Sequence, residues 1–282
     1  MALLGSAPTA EGSFPGRDGR ITFVRDSRVY VMKPNGTDVR RLTRGAGEGG
    51  LWPAFAPNGR TIVFSRLEGI GAGPQDLAVM NARGRNLRVL TTNGRTQEPA
   101  FAPSGRQIAF AADEHIHSIA VDGGAASQLT DDEGSDASPT YSPRANRIAF
   151  VRRFHNPGFA RIWVMRRDGT QERALTGMGG YSDAEPSYSP DGRRIAFIRY
   201  GQVWVMRADG TRQKKLTRFD LHPFQELSSP AFSPTGRRIA FVGPGRRGHA
   251  QVWVMKANGT RIHAITNSRE RNSRMADWGP GH

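Results

Sequence analysis

Twenty-five carboxylates and seven histidines in a chain without cysteine leave few routes to chemistry, and no thiolate nucleophile or disulfide is among them. Five of the acids, Glu98, Asp136, Asp183, Glu185 and Glu226, stand just ahead of recurring Pro- and Ser-containing strings. Carboxylates that converge in this way could hold a cation or the cationic group of a peptide. His115 and His117 are two apart, so on a strand they share a face and could share a metal, although no third ligand is evident and packing is the plainer account. His155, His222 and His249 fall in loops, where a metal-assisted lyase or hydrolase would need them to converge. Phe154, Phe159, Phe219 and Phe224 also fall in loops and suit a protein or glycan contact, or simply pin their own loops. Gly-x-Ser-x-Gly, His-Glu-x-x-His and P-loop strings are missing, so no catalytic residue is assigned and no cofactor is expected beyond a cation in a central channel.

Charge offers a second route. Forty Lys plus Arg against twenty-five Asp plus Glu give +15, a surface that attracts anions. Nucleic acid is the usual partner of such a balance. Here the arginines recur once or twice per repeat instead of lining one groove, and no aromatic platform for bases is recognisable. Weak, salt-sensitive binding of an anionic polymer is the alternative that survives.

These residues hang on a repeat. A Leu-Thr pair, Ile-Thr in the last case, stands at Leu42-Thr43, Leu90-Thr91, Leu129-Thr130, Leu175-Thr176, Leu216-Thr217 and Ile265-Thr266, spaced 48, 39, 46, 41 and 49 residues apart. Each unit holds four short apolar stretches, too brief for helices and punctuated by Pro-x-Gly or Asp-Gly, which predicts four strands. In the fifth unit they run roughly 187–189, 194–199, 202–207 and 212–217. A meander of about forty residues with two apolar faces cannot hide both alone, so neighbours must stack on either side and six units close into a ring.

The strings Ser189-Pro190-Asp191-Gly192-Arg193-Arg194-Ile195-Ala196-Phe197 and Val203-Trp204-Val205-Met206-Arg207-Ala208-Asp209-Gly210-Thr211 resemble the PD40 repeats, WD40-like, of TolB-type propellers. The likeness spans residues 20 to 280 and implies an all-β, six-bladed β-propeller of four-stranded antiparallel blades. The separate N-terminal domain of TolB has no counterpart in this chain. The resemblance further implies a monomer with a protein or peptide partner, placed in the bacterial periplasm or cell envelope, its export signal absent here. No run of residues is apolar enough for a transmembrane helix.

Residues 1–19 read as a flexible N-terminal segment and 20–282 as one propeller domain. Ala276 to Pro280 matches an inner strand, with Trp278 standing for Tyr188, and is expected to close the ring on the first blade; Phe14-Pro15-Gly16 is the rival for that slot. Asn146 stands in for the glycine of the fourth unit's turn. Because strands alternate in direction, tight turns gather at one face and the longer, individual loops at the other, where recognition usually sits. On that loop face the five acids are expected to rim the channel mouth as a solvated funnel beside Phe154, Phe159 and Phe224. Arg60, Arg106, Arg193, Arg194, Arg237 and Arg238 are expected to make the tight-turn face basic.

Overall fold

The computed structural model describes residues 14–281 except 46–47, 69–72, 74, 145, 155–158, 178, 221–226, 246–247 and 268–271. Six four-stranded antiparallel sheets form the blades of a propeller. Blade 1 holds β1 (Arg17–Arg25), β2 (Arg28–Met32) and β3 (Arg40–Arg41). Blade 2 holds β4 (Glu48–Phe55), β5 (Thr61–Glu68), β6 (Gln75–Asn81) and β7 (Arg88–Val89). Blade 3 is β8 (Gln97–Phe101), β9 (Gln107–Ala112), β10 (His115–Ala120) and β11 (Ser127–Gln128). Blade 4 is β12 (Ser135–Tyr141), β13 (Arg147–Arg153), β14 (Ala160–Arg166) and β15 (Arg173–Ala174). Blade 5 is β16 (Asp183–Tyr188), β17 (Arg194–Arg199), β18 (Gln202–Arg207) and β19 (Lys214–Lys215). Blade 6 is β20 (Ser228–Phe232), β21 (Arg238–Pro244), β22 (Ala250–Lys256) and β23 (His263–Ala264). The last strand, β24 (Ser273–Gly281), returns to pair with β1, Ile21 opposite Trp278, and so stitches the ring shut.

Each recurring token has a packing reason. In Ile-Ala-Phe, alternation sends Ile and Phe to one face and Ala to the other. The core therefore lies between blades: Ala149 and Val164 of blade 4 meet Ile195, Phe197 and Met206 of blade 5, small against large. The threonine of every Leu-Thr pair accepts a hydrogen bond through Oγ1 from the first apolar residue of the adjacent strand, as Val203 N does to Thr217 at 2.9 Å and Val252 N to Thr266 at 2.9 Å. A buried N–H that strand pairing leaves over is satisfied this way. The leucine carbonyl of the pair abuts the turn glycine of the next blade: a Cβ on Gly259, at φ +88°, would sit 2.7 Å from Leu216 O. The same contact closes the ring, Gly36 of blade 1 lying against Ile265 O of blade 6.

The outermost strands are shorter than the sequence predicts and the innermost ones start earlier. Asn146 takes the left-handed conformation at φ 46°, as the turn requires. The propeller also begins ahead of residue 20. Arg17 and Asp18 already pair with Gly281 and Pro280, and Phe14, instead of closing the first sheet, is buried in the apolar cluster of blades 2 and 3. Gly16 N meanwhile donates to Pro234 O of blade 6, so the entering segment passes across the tight-turn end of the ring. Among the described residues no helix is long and apolar enough to cross a membrane.

Candidate functional site

The acids expected at the channel mouth are not a solvated rim. Glu98, Asp136, Asp183 and Glu185 are each at most 2% exposed. A bulge buries two of them. In every inner strand the residue ahead of the Pro, or ahead of Ala276 in β24, takes a left-handed conformation, from Trp52 at φ 47° to Glu98 at φ 57°. Pairing registers break at the same place, between Gln97 and Ala100 in β8 and between Ala184 and Ser187 in β16. The extra residue turns its side chain toward the next blade. Glu98 Oε2 accepts from Ser138 N at 2.6 Å and Glu185 Oε2 from Ser229 N at 2.5 Å. Asp277, which the sequence reading did not single out, does the same from blade 1 to blade 2, accepting from Phe55 N at 2.9 Å. Its signal was present: an acid inside the otherwise apolar string Met275-Ala276-Asp277-Trp278. Burial pushes the Glu98 carboxyl up to about 7 against the opposing pull of Ser138, and burial pushes Asp277 up to about 7 as well.

Asp136 and Asp183 have another fate. They stand opposite Arg152 and Arg199 on the neighbouring strands, and cross-strand register brings each pair together. Arg199 grips Asp183 through two bonds of 2.6 and 2.8 Å and Arg152 grips Asp136 through two of 2.8 Å. Arg152, 1% exposed, also reaches Asp132 at 2.6 Å and Glu172 at 2.7 Å. Burial works against its charge, and Asp136 and Glu172 more than offset that, so the guanidinium is held further above its ordinary value. Carboxylates committed in this way are structural. Glu226 and Phe224 lie outside the described residues, as do His155 and His222.

The loop aromatics largely pin their own segments. Phe154 tilts on Trp163 at 6.2 Å with Arg161 over its ring, and its N–H donates to the carbonyl of Phe159. Phe219 packs edge-on against Trp253 at 5.2 Å. His117 occupies the place that tryptophan holds in blades 4, 5 and 6 and stacks on Phe110 at 5.6 Å. Among the described residues no group of three or more His, Asp or Glu could hold a metal.

What the loop face does expose is Tyr200, 66% accessible, at φ 51° in the tight connection between β17 and β18. Tyr181 lies 5.4 Å from it, and the guanidinium of Arg199 sits 4.1 Å from the Tyr181 ring. Arg199 is itself clamped by Asp183 and flanked by Phe197 and Trp204. An exposed tyrosine thus rests on a half-buried one and a locked base. A Tyr-Gly step in a two-residue loop-face turn was the available clue.

At the opposite face the six named arginines divide. Arg238 bonds Asp18 at 2.7 Å beneath Trp278, and Arg194 lies over Phe232. Arg60, Arg106, Arg193 and Arg237 are exposed in the turns. Two clefts open there. One, of about 880 Å³, lies between blades 1 and 2 and is lined by Lys33, Arg60 and Arg83 among others. The second, of about 630 Å³, is lined by Arg194, Arg237, Arg238 and Lys256, and Asp18 borders both.

Fold and repeat together define a six-bladed propeller of the TolB-like kind, and relatives agree. The chain is 30% identical over 133 residues to a protein TolB homolog of Chlorobium luteolum, covering 46% of this chain and 30% of the relative. It is 36% identical over 77 residues to the Tol-Pal system protein TolB 1 of Novosphingobium aromaticivorans, covering 27% of this chain and 16% of that one. The matches therefore span less than a third of those relatives' length. The crystal structure of TolB from Acinetobacter baumannii superposes with a TM-score of 0.79 at 20% identity, over 95% of this chain and 68% of that chain, a likeness of fold. No protein-family model matches the sequence.

Proposed function

We propose that this chain is a non-catalytic binding propeller that recognises a protein or peptide over its loop face, with Tyr200 at the centre of the contact. The observation that carries the reading is the Tyr200–Tyr181–Arg199–Asp183 stack. Exposed aromatics held rigid by what lies beneath them are what binding hot spots are made of, since little side-chain entropy is lost on contact. Beside it the inner-strand acids serve as framework, so the partner meets the loops and not a ring of free carboxylates. A metal-assisted reaction in the channel would need donors that Asp136 and Asp183 have already given to arginine. The relatives' names, one of them a Tol-Pal system protein, support a place in the bacterial cell envelope.

Capture from a bacterial envelope extract tests this. The intact chain is expected to retain a partner that Tyr200→Ala releases, while Arg60→Gln, on the far face, keeps it. Equal capture by Tyr200→Ala, with an unchanged thermal transition, overturns the assignment.

A further inference from the structure

We propose that the tight-turn face of blades 6, 1 and 2 is a binding surface for an acidic polysaccharide, separate from the loop-face contact. Two adjoining clefts there carry Lys33, Arg60, Arg83, Arg237 and Lys256. All five are exposed, and among the described residues none forms an ion pair. The acids at hand are already engaged: Asp18 by Arg238 and Thr235, Asp38 by Arg20 and Arg40.

The turns themselves supply an independent observation. Many are capped by a side-chain oxygen that accepts the N–H two residues on, and a carboxylate or an amide does this equally well. In blades 4 and 5 the cap is Asp168 or Asp209, with the threonine N–H at 3.0 and 2.9 Å. In blades 1 and 6 it is Asn35 or Asn258, with the same bond at 3.1 Å. Blade 2 uses Asn81 and Asn58, and blade 5 adds Asp191 as a second acidic cap. These turns share the cap while their charge differs. Around blades 4 and 5 each cap acid has arginine beside it, Arg166 near Asp168 and Arg207 near Asp209. On blades 6, 1 and 2 neutral caps leave the cations uncompensated, over two clefts divided only by Asp18.

The class of polyanion follows from what the surface lacks. The clefts are walled by turns and strand ends, so a peptide finds no continuous strand edge to pair with. Among the described lining residues no exposed aromatic offers a stacking platform for bases. Cations recessed between blades also suit a single chain better than a planar bilayer. What fits is a linear polymer recognised by charge, with hydroxyls able to meet the Asn caps.

Heparin binding, measured by titration calorimetry at several salt concentrations, is the test. Lys33→Gln with Arg60→Gln and Arg83→Gln is expected to weaken binding about tenfold, at two- to threefold per contact. The charge-matched control, Arg166→Gln with Arg193→Gln and Arg207→Gln, is expected to leave it within about twofold. Asn35→Asp with Asn258→Asp, which keeps the caps and restores acids, is expected to weaken it as well. Equal losses in both triple variants would show a diffuse surface effect and overturn the proposal, as would tighter binding of polyglutamate or oligodeoxythymidylate than of heparin. Envelope-partner capture unchanged in the Lys33/Arg60/Arg83 variant keeps this result distinct from that of the loop-face contact.

Discussion

Arg199 and Arg60 occupy opposite ends of neighbouring kinds of strand and meet opposite fates. At the loop end Arg199 faces Asp183 across the sheet, loses its water and becomes part of the frame. At the tight-turn end Arg60 projects from a turn capped by the amide of Asn58 and stays exposed. Residue type is the same in both. What separates a structural arginine from an available one is whether an acid occupies its cross-strand place, and the same contrast divides the tight-turn face into a compensated half and an uncompensated half.

The largest expected effect breaks the loop-end pair. Asp183→Ala leaves Arg199 buried without its partner and is expected to cost about 3–5 kcal/mol of stability in urea unfolding, whereas Arg60→Ala should change stability by no more than about 0.5 kcal/mol. Similar costs for the two would erase the distinction.

Next comes pH. Glu98 and Asp277 have folded-state values of about 7 against ordinary values of 4.5 and 3.8, so between about pH 4 and pH 7 the folded protein keeps protons that the unfolded chain has released. Their contribution to stability is therefore greatest below that window and falls as pH rises through it, by at most about 3 kcal/mol for Glu98 and about 4 kcal/mol for Asp277. Glu98→Gln and Asp277→Asn, which keep an accepting oxygen, are expected to flatten the slope between pH 4 and pH 7 in thermal melts. An unchanged slope in both would mean that these groups ionise at their ordinary values.

A smaller effect is expected at the shared token. Thr217→Val strips Val203 N of its acceptor and should cost about 1–3 kcal/mol in the same urea experiment. Smallest is Asn258→Asp, which retains the cap and is expected to shift stability by no more than about 0.5 kcal/mol while weakening heparin retention. A large loss of stability there would tie the amide to the fold and remove the argument that charge alone distinguishes the blades.

Much of the fold was legible because its tokens are local. Pro-x-Gly, Asp-Gly and Ile-Ala-Phe each encode a turn or a face, and six copies in series leave a closed stack as the way to cover both faces of every blade. Trp278 announced the closure by matching Tyr188. The candidate site was harder to read. Glu98 and Glu185 looked like rim residues because the sequence shows an acid ahead of a strand, but not the bulge that turns it toward the next blade. Asp136 and Asp183 looked free because their arginines lie sixteen residues away and meet them only through register. Tyr200 went unmarked, since a tyrosine in a tight turn acquires meaning only from the stack below it.

The sequence by itself determined the repeat, the strand and turn order, the closing tail and the surplus of positive charge, all properties carried by residue type and spacing over a few positions. Only the tertiary structure decided which charges are used up and which remain, because that depends on contacts between strands and between blades, where burial makes an ion pair or a hydrogen bond worth keeping and an unpaired charge too costly to hide.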